Sequence, residues 1–496
     1  MDRPVLTLGD YYQLLQKQGL LAPNTSFAGN LAHRVPAVSY DSRAVAPGGL
    51  FLCKGAAFRQ EYLEQALGQG AAAYVSERVY DVSAPCIQVT DIRRAMGVIA
   101  DAAWGHPSGQ VKVVGLTGTK GKTTTAWFIK AILDHWRRGQ HPVGLLSSIL
   151  TDDGVTRAPA VLTTPEPLEL QRHLFNAATA GCGYVVMECS SQALKYGRVI
   201  GVELEVGAFL NLGEDHISPK EHPTAEDYFQ SKLKIFDHSK TAVVNLDSDR
   251  AGEIVAAAGK CETMSVYALD YARDLKRTGA GMTFTTPVAG NDETFSIPML
   301  GDFNVSNALC AISVCALLGV PAEHIRPGLA SARVPGRMEL YQNAGKTVVV
   351  DYAHNGMAME ALLRAVGEHF PGKRICVVFG SVGDKALDRR ESLGTAAGAL
   401  ADHIYLTEDD PGSEDVTAIC REIGKYVRAQ GKEYTIIPDR TQAIKEAIAA
   451  AGEDTVVVLA GKGAEQAQKR KNGPQVCPSD GMLAKKYLGL PLGEVL

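Results

Sequence analysis

A glycine-rich turn near residue 118 carries the residue types that bind phosphate. The segment GLTGTKGKTTT spans residues 115–125 and follows the apolar run VKVV at residues 111–114. A strand, a glycine turn and a Lys-Thr pair that opens a helix form the arrangement of a phosphate-binding loop. The backbone N–H groups of such a loop point at phosphate oxygens, and the helix adds its positive N-terminal end. The predicted phosphate contacts are Gly118, Thr119, Lys120, Gly121, Lys122, Thr123 and Thr124.

Two residues of this loop have predicted chemical roles. Lys122 would neutralise charge on the β- and γ-phosphates, and the Thr123 hydroxyl would ligate Mg²⁺. The strict pattern has glycine at position 116, where this chain has Leu116, so only the second half of the pattern matches. The alternative interpretation is an ordinary glycine turn.

Two further polar residues follow apolar runs that are typical of buried strands. Glu188 lies at the end of the run in VVMECSS, and His216 follows the run in FLNLGEDHISP. In a doubly wound sheet, ligands collect at the carboxyl ends of the strands. We therefore predict that both side chains reach a metal ion on the phosphates. The alternative is that each is a solvated loop residue.

A lysine lies on the apolar face of the helix predicted in AEDYFQSKLKIFD. At 100° per residue, Lys232 falls on the same face as Tyr228, Phe229 and Phe236, whereas Lys234 points the other way. Such a lysine either extends its amine to water or is a desolvated amine with a lowered pKa. A neutral amine reacts with CO₂ to give a carbamate, which is an acid group able to bind Mg²⁺.

The elements that would position these residues form three regions. Residues 1–108 mix short strands with helices, and residues 109–333 alternate strands with helices. The alternation restarts at residue 334, where Pro335 and Gly336 interrupt helix and strand alike. Alternating strands and helices predict parallel sheets that are flanked by helices. The sequence therefore predicts an α/β protein with domains at 1–108, 109–333 and 334–496.

Composition narrows the classes of partner. The chain has 496 residues and a net charge of −5, so it lacks the basic footprint of a nucleic-acid-binding protein. No apolar run approaches the roughly 18 residues of a membrane span, and the N-terminal segment lacks the pattern of a signal peptide. The ten cysteines form no C-x-x-C pair. We therefore expect reduced thiols, a cytoplasmic location, and no nucleic-acid or membrane partner.

Eight ordered motifs resemble those of the Mur ligases, especially the members that add the third residue of the peptide. They are TGTKGKTT, MECSSQALKYGRV, NLGEDHISP, DYFQSKLKIF, GDFNVSNALCAI, VPGRME, DYAHN and AGKGAE. The resemblance covers essentially the whole chain. It implies the three-domain Mur ligase architecture, which has a small N-terminal α/β domain for the UDP-sugar, a central P-loop domain with a parallel sheet for ATP, and a C-terminal Rossmann-like domain for the amino acid.

The resemblance also implies a reaction in bacterial peptidoglycan precursor synthesis. ATP with Mg²⁺ would phosphorylate the D-glutamate γ-carboxylate of UDP-MurNAc-L-Ala-D-Glu, and the amine of an amino acid would attack the acyl phosphate. Lys122, Glu188, His216 and Lys232 would be catalytic, with Lys232 matching the lysine that the family carbamylates from CO₂. Thr123, Glu188, His216 and the carbamate of Lys232 would hold the metal. The family is mostly monomeric, which implies a monomer here.

Other site residues follow from the same motifs. The implied contacts to UDP-MurNAc-peptide are Ser42, Thr163, Thr164, Ser190 and Arg198. The implied nucleotide-facing residues outside the loop are Asn304, Asn307, Arg337, Asp351 and His354. Asn304 has the alternative role of a helix cap, Arg337 that of a surface residue and Asp351 that of a strand-end acid. One departure is Gln192, where the family often has histidine.

The segment TEDDPGSED bears on which amino acid is added. Members that add meso-diaminopimelate resemble Asp-Asn-Pro-Arg there, and their arginine can fork onto the distal carboxylate. This chain instead has Asp409, Asp410, Pro411 and Gly412, and it has Ala464 where those members usually have histidine. The resemblance therefore favours L-lysine, with Asp409 and Glu465 as contacts to its amines. Ornithine and meso-diaminopimelate stay open as alternatives.

Three other functions fit parts of the sequence. Folylpolyglutamate synthases share the ATP-binding and C-terminal regions but lack the first domain, so the DSR segment at residues 41–43 argues against that function. A nucleotide-hydrolysing switch would need no muramoyl-peptide. A non-catalytic paralogue is disfavoured because Lys122, Glu188, His216 and Lys232 are all present.

Overall fold

The computed structural model describes residues 3–23, 26–55, 57–213, 217–218 and 221–492. The chain divides into two compact units, one of Met1–Ala268 with Ser313–Gly319 and one of Leu269–Ile312 with Val320–Leu496. This division does not fall at residues 108 or 333, so the three domain boundaries stay a prediction. The predicted α/β fold class is confirmed, because parallel sheets flanked by helices occur in both units.

The first unit begins with a small parallel sheet of order β1-β2-β3-β4. A capping box between Thr7 and Asp10 starts its first helix, and the side chain of Asp91 caps its third. The strands are β1 (Val38–Ser39), β2 (Leu50–Leu52), β3 (Ala73–Ser76) and β4 (Cys86–Gln88). The helices are α1 (Leu8–Lys17), α2 (Gln60–Gly68) and α3 (Ile92–Ala103).

An eight-stranded sheet forms the rest of this unit. Its order is β12-β11-β10-β5-β9-β6-β7-β8. The pairs β6–β7 and β7–β8 are antiparallel, and the other pairs are parallel. The strands are β5 (Lys112–Thr117), β6 (Val143–Leu146), β7 (Leu150–Asp152), β8 (Arg157–Pro159), β9 (Tyr184–Glu188), β10 (Leu204–Phe209), β11 (Ser239–Asn245) and β12 (Thr263–Tyr267). The helices are α4 (Lys122–Trp136), α5 (Pro167–Thr179), α6 (Ser191–Lys195), α7 (Ala225–Leu233) and α8 (Ala251–Ala258).

The central strands of this sheet were predicted from continuous apolar runs. β5, β9, β10 and β11 match VKVVGLTG, GYVVMECS, VGAFLNL and TAVVNLD, and their central residues are buried. Strands that are buried on both faces read as continuous apolar runs, so the sequence carries a strong signal for them. The parallel order places the carboxyl ends of β5, β6 and β9 along one edge of the sheet.

The second unit contains an antiparallel sheet, a larger mixed sheet and a hairpin. The antiparallel sheet is β13 (Arg273–Thr278), β14 (Gly281–Val288) and β15 (Asn291–Ile297). The mixed sheet has the order β16-β17-β21-β18-β19-β20, with only the β16 pair antiparallel. Its strands are β16 (Glu339–Asn343), β17 (Lys346–Asp351), β18 (Arg374–Phe379), β19 (His403–Leu406), β20 (Thr435–Ile436) and β21 (Thr455–Ala460).

Helices pack on this mixed sheet, and a separate hairpin follows its last strand along the chain. The hairpin is β22 (Ala467–Arg470) with β23 (Gly473–Val476). The remaining helices are α9 (Asp302–Leu317), α10 (Ala322–Ser331), α11 (Gly356–His369), α12 (Asp388–Leu400), α13 (Val416–Ala429), α14 (Arg440–Ala450) and α15 (Asp480–Leu488). In the part of the chain that the structure describes, no helix is long and apolar enough to cross a membrane.

Candidate functional site

The glycine-rich turn connects β5 to α4, as the phosphate-loop motif predicts. Gly121 begins the helix with φ of +84°, a conformation that glycine adopts without strain. A Cβ at position 118 would lie 2.8 Å from the Cβ of Leu210, so only glycine lets the loop pass this close to β10. Asn211 then holds the loop through its side chain, because its Oδ1 accepts from Lys120 N at 2.9 Å. These contacts fix the loop backbone in place.

Two lysine amines meet at one carbonyl oxygen of this loop. Nζ of Lys122 and Nζ of Lys232 each donate to Gly118 O at 2.8 Å. Two positive charges on one neutral oxygen repel each other, particularly because Lys232 is only 1% exposed. The arrangement is therefore suited to an anion such as phosphate.

Helix α7 delivers Lys232 to the loop. Thr224 caps the helix by accepting from Asp227 N at 3.0 Å, so the helix starts at Ala225. The helical spacing then places Lys232 on the buried face with Tyr228, while Lys234 is exposed, which confirms the predicted face. The Tyr228 ring lies 4.5 Å from the Lys232 amine, and its hydroxyl donates to Thr119 Oγ1 at 3.2 Å. One helix thus contacts the loop at two points.

Glu188 and Thr123 are joined through a serine that the sequence analysis did not single out. Ser148 follows β6, and its Oγ lies 2.9 Å from Thr123 Oγ1. Its backbone N–H donates to Glu188 Oε1 at 2.7 Å, and Glu188 is 1% exposed. A hydroxyl and a carboxylate therefore lie at the carboxyl ends of adjacent strands, beside the loop.

These residues fit a metal ion that is shared with substrate phosphates. Mg²⁺ is usually held by one or two carboxylates together with phosphate oxygens and water, rather than by a cage of protein side chains. Glu188 and Thr123 supply such a partial set. The described ranges contain no group of three or more His, Cys, Asp or Glu side chains that could hold a metal. The predicted ligand His216 lies outside the described residues.

The residues predicted to contact the muramoyl-peptide adjoin Glu188. The hydroxyl of Thr164 donates to Glu188 O at 2.8 Å and accepts from Ser190 N at 2.9 Å. Arg198 donates to Thr164 O at 3.1 Å and forms an ion pair with Glu166 at 2.9 Å. The structure therefore brings Thr164, Ser190 and Arg198 into one bonded group at the end of β9.

The other two predicted contacts are Ser42 and Thr163. Ser42 belongs to the first sheet region, where its hydroxyl donates to Gln65 Oε1 of α2 at 2.7 Å. Thr163 is half-buried next to Thr164. Among the described residues, neither side chain is seen to hydrogen-bond to the group at the end of β9.

The predicted nucleotide-facing residues outside the loop all belong to the second unit. Asn304 lies inside α9 rather than at its cap, where its side chain donates to Leu300 O at 2.8 Å and accepts from Asn307 at 3.1 Å. Both asparagine side chains are therefore used to hold the first turns of that helix. Their predicted contact with nucleotide stays a prediction.

Arg337, Asp351 and His354 converge on Tyr352. The Arg337 guanidinium lies 4.2 Å from the ring of Tyr352, and His354 stacks edge-on with centroids 4.9 Å apart. Asp351 accepts from Met338 N at 2.9 Å. Burial raises the pKa of Asp351, although the Arg337 charge opposes the rise. These three residues form one cluster at the carboxyl end of β17.

Two of the acids predicted to recognise the incoming amino acid surround a lysine of the chain itself. Nζ of Lys462 donates to Asp410, to Glu465 and to Ala467 O, each at 2.7 Å. Burial raises the pKa of Asp410, but the bonds from Lys462 and Lys469 together outweigh this effect and hold the pKa below its ordinary value. The structure thus shows that this cluster of acids holds an ammonium group.

Asp409 differs from its neighbour in charge environment. Burial raises its pKa to about 6, and the opposing charges of Arg440 and Lys462 do not cancel this effect. Next to it, Asp410 has φ of +47° and Gly412 has φ of +59°. Left-handed backbone at a residue other than glycine is uncommon and concentrates at functional sites.

A cavity of about 280 Å³ opens beside this segment. Pro411, Gly412 and Glu414 line one side, and Arg470 lines another. The volume is near the lower end of the range for small-molecule sites. The walls carry both signs of charge, as a site for an amino acid requires.

Sequence reasoning missed several residues that hold the site together. Ser148, Asn211 and Tyr228 each bond to a predicted site residue. The signal for Ser148 was present, because it follows an apolar run as Glu188 does. Tyr228 was interpreted only as part of the apolar face, and its hydroxyl gave no separate signal.

Models of known families match most of the chain. The model described as the Mur ligase middle domain matches residues 116–315. The model described as the Mur ligase, glutamate ligase domain matches residues 336–463.

Curated relatives match nearly the whole chain. A UDP-N-acetylmuramoyl-L-alanyl-D-glutamate–L-lysine ligase of Enterococcus faecalis is 40% identical over 92% of this chain and 92% of its own length. A ligase of the same name from Streptococcus sanguinis is 40% identical over 91% of this chain and 92% of its own. A UDP-N-acetylmuramyl-tripeptide synthetase of Lactobacillus delbrueckii subsp. bulgaricus is 37% identical over 96% and 97%.

Solved structures share the fold. A UDP-N-acetylmuramoyl-L-alanyl-D-glutamate–2,6-diaminopimelate ligase has a TM-score of 0.68 and 25% identity, and the match covers 98% of this chain and 99% of that one. A folylpolyglutamate synthase of Mycobacterium tuberculosis, complexed with ADP and AMPPCP, has a TM-score of 0.59 and 18% identity, over 74% of this chain and 92% of its own. The second likeness concerns the fold alone.

Proposed function

The chain belongs to the Mur ligase family, and we propose that it joins L-lysine to the D-glutamate γ-carboxyl of UDP-MurNAc-L-Ala-D-Glu in an ATP-dependent reaction. The observation that carries the proposal is the meeting of Lys122 and Lys232 at Gly118 O, beside Glu188. Two cations at a glycine-rich loop suit polyphosphate, and a buried carboxylate suits its metal ion. The names of the curated relatives support the choice of substrate and of lysine.

The loop and its neighbours would bind and orient ATP. Thr119 N and Lys120 N already donate to Asn211. Phosphate oxygens would accept from the other backbone N–H groups at residues 118–123 and from the N-terminus of α4. Lys122 would leave Gly118 O for the phosphates, since a charge-assisted bond to phosphate is stronger than a bond to a neutral carbonyl. Charge on the transferring phosphoryl group is thereby stabilised by groups already in place.

Glu188 and the Thr123 hydroxyl would hold Mg²⁺ on the phosphates, together with His216 and a carbamate on Lys232. Bound Mg²⁺ would neutralise charge on the phosphates and help to orient them. The carbamate forms when the neutral Lys232 amine bonds to the carbon of CO₂ and loses a proton to water. Removal of the Lys232 positive charge would also relieve its repulsion with Lys122 at Gly118 O. These ligand roles are part of the proposal.

Thr164, Ser190 and Arg198 would hold the muramoyl-peptide next to the phosphates. They are bonded to each other and to the end of β9, which also carries Glu188. A carboxylate oxygen held there would attack the γ-phosphorus of ATP and displace ADP. An amine would then attack the resulting acyl phosphate at its carbonyl carbon and displace phosphate. Positioning of the reactants accounts for most of the catalysis in such a reaction.

The segment at residues 408–412 bears on the choice of amino acid. Glu408 pairs with Arg470, and Asp410 and Glu465 pair with Lys462, so cations of the chain already balance the charges of these acids. No arginine stands at position 412 to bind the second carboxylate of diaminopimelate. The choice of lysine is supported by this position and by the names of the curated relatives.

A phosphate-release assay with product mass as a second readout tests the proposal. Purified protein, ATP, Mg²⁺ and UDP-MurNAc-L-Ala-D-Glu would be supplied with L-lysine, meso-diaminopimelate or L-ornithine in separate reactions. Turnover with lysine, and little with the others, is the expected result. Turnover with diaminopimelate alone would keep the ligase and contradict the choice of lysine.

Two controls separate the rival functions. Phosphate release without any amino acid product would support a nucleotide switch. Ligation of glutamate to a folate substrate, and no reaction of the muramoyl-peptide, would support a folylpolyglutamate-synthase-like enzyme. The absence of any turnover by protein that binds ATP would support a non-catalytic paralogue.

A further inference from the structure

A completely buried histidine joins helices α6 and α7. His222 has no exposed surface, and its Nε2 lies 2.9 Å from the hydroxyl oxygen of Ser191. Its Nδ1 lies 2.6 Å from Oδ2 of Asp227. Ser191 is the first residue of α6, and Asp227 lies in the first turn of α7. The histidine thus bridges the starts of two helices.

The hydrogen-bonding roles in this bridge follow from charge. Burial lowers the pKa of His222, and the bond to Asp227 does not fully offset it, so the imidazole is neutral at neutral pH. A neutral ring donates through one nitrogen and accepts through the other. Because a carboxylate only accepts, Nδ1–H donates to Asp227 and Nε2 accepts the Ser191 hydroxyl proton. The donor and the acceptor of each hydrogen bond in the bridge are therefore assigned.

Asp227 also holds the other end of α6. Nζ of Lys195, the last residue of that helix, donates to Asp227 Oδ2 at 2.7 Å and to Glu221 O at 3.1 Å. The acid consequently contacts α6 at its end through Lys195 and at its start through His222 and Ser191. A five-residue helix has little stability of its own, so these contacts determine where it lies.

The bridge lies between two parts of the candidate site. Ser190, which precedes Ser191, caps α6 and bonds to Thr164 in the predicted muramoyl-peptide group. On the other side, the ring of His222 packs edge-on against Tyr228 with centroids 5.1 Å apart, and Tyr228 bonds to the phosphate loop at Thr119. Asp227 is on the helix that carries Lys232.

We propose that His222 is a positioning residue that fixes the start of α6, and with it the acceptor carboxylate, relative to the phosphate loop and Lys232. This inference rests on the proposed ligase function. His222 touches none of the three substrates in this account, and it acts through Ser191 and Asp227. Its removal should slow phosphoryl transfer because the two reactants lose alignment. A misplacement of about 1 Å reduces rates by roughly 100-fold in enzymes of this kind.

Two replacements of His222 retain different halves of the bridge. In His222→Asn the amide nitrogen takes the place of Nδ1 and still donates to Asp227, but nothing accepts from Ser191. In His222→Gln the amide oxygen reaches the place of Nε2 and accepts from Ser191. We expect kcat to fall roughly 10- to 100-fold in the Asn variant, and at least half of that loss on the logarithmic scale to be recovered in the Gln variant. The KM for L-lysine should stay within about twofold of wild type.

His173→Asn, in helix α5, is a matched control in the same unit. His173 is also buried, and its Nδ1 lies 2.6 Å from Oδ2 of Asp153, the same distance as in the bridge. None of its observed bonds involves a predicted site residue. This variant should lower the melting temperature and leave kcat within about twofold of wild type, since a loss of stability alone does not change turnover by the folded fraction. An equal loss of kcat in both variants would overturn the proposal.

Ser191→Ala removes one hydroxyl and keeps the histidine. It therefore tests whether His222 acts through its bond to Ser191, even if His222→Asn fails to fold. Alone it should lower kcat as His222→Asn does. Combined with that variant it should add no further loss, because both remove the same bond. Unchanged kcat in Ser191→Ala, or losses that multiply in the double variant, would overturn the role of this bond. If wild type itself fails to ligate, the proposed function fails and these comparisons are not reached.

Discussion

Lys232 combines complete burial with a hydrogen bond to a neutral carbonyl. A buried charge is tolerated where other charges balance it. In the proposed function, Mg²⁺ and the Lys122 amine, which donates to the same carbonyl oxygen, would balance the negative charge of the carbamate.

Replacement of Lys232 by alanine tests this role. We expect Lys232→Ala to lower the ligation rate at least roughly 100-fold, as when a preorganised electrostatic group is removed. Acetate or another short-chain carboxylate should restore part of the activity by filling the vacated space. Lys234→Ala, on the exposed side of the same segment, should leave the rate within about twofold. Full activity in Lys232→Ala would contradict the carbamate, and so would equal losses in both variants.

The contribution of Asp409 to the stability of the fold depends on pH in the direction opposite to that of most carboxylates. Burial raises its pKa from 3.8 to about 6, so the folded state binds the proton more tightly than the unfolded state does. Its stabilising contribution is full below about pH 4 and is lost as the pH rises through about 6. The free energy of unfolding of wild type should therefore fall relative to that of Asp409→Asn between pH 4 and pH 7. The expected change is on the order of 2 kcal/mol.

Chemical denaturation at several pH values measures this difference. The free energy of unfolding of Asp409→Asn minus that of wild type should increase from pH 4 to pH 7. Asp454→Asn is the control, because that carboxyl is exposed and its pKa is lowered by bonds from Thr455 and Arg374. The free energy of unfolding of Asp454→Asn minus that of wild type should not increase from pH 4 to pH 7. A pH-independent difference for Asp409→Asn would show that the carboxyl keeps its ordinary pKa.

At the scale of elements, the predictable features were those with a local signal. β5 and β9 are buried and appear as continuous apolar runs, so their positions were evident. The antiparallel strands β13 to β15 were not predicted, because RDLKRT in β13 is mostly exposed and charged. Its strand conformation depends on pairing with β14, which is a tertiary effect.

Side-chain partners were predictable only where they share an element. The burial of Lys232 followed from helical spacing alone. The contact of Lys462 with Asp410 joins residues that are 52 positions apart, and no local pattern encodes it. The sequence therefore suggested acids that await an ammonium group, whereas in the structure Asp410 already holds one.

The loop at residues 409–412 explains why one substitution should not convert specificity. Gly412 has φ of +59°, and a Cβ there would lie 2.0 Å from Oδ2 of Asp384. That carboxylate accepts from Ser413 N at 2.8 Å and from Ser413 Oγ at 2.6 Å, so it cannot move without losing both bonds. We expect Gly412→Arg to reduce lysine ligation and to give no ligation of meso-diaminopimelate, although it restores the arginine of that branch.

A second glycine separates backbone strain from the clash. Gly431 has φ of +75°, and no atom lies within 4 Å of a Cβ built there. Gly431→Arg should therefore cost only the roughly 1–2 kcal/mol of left-handed backbone and leave ligation unchanged. In Gly412→Arg with Asp384→Ala, stability should partly recover because the clash is gone. Efficient diaminopimelate ligation by the single variant would contradict this account of the loop.

At the scale of the whole molecule, the ten cysteines are spread over both units and all are free thiols. Seven are buried, and Cys86, Cys261 and Cys477 are partly exposed. Burial raises the pKa of these three as well, to about 11 for Cys86. The reactive species is the thiolate, so even the accessible thiols are mostly unreactive near neutral pH. Neither unit therefore depends on a disulfide for its stability.

Thiol titration tests this property across the chain. In denaturant, Ellman's reagent should detect all ten thiols, and the intact mass should be the same with and without reductant. In the native state at pH 7.5, at most the three partly exposed thiols should react, and slowly, because few are ionised at that pH. Reaction should quicken as the pH is raised towards their pKa values. A mass lower by two hydrogens without reductant would reveal a disulfide, and rapid native labelling of more than three thiols would mean that the buried cysteines are exposed by opening of a unit.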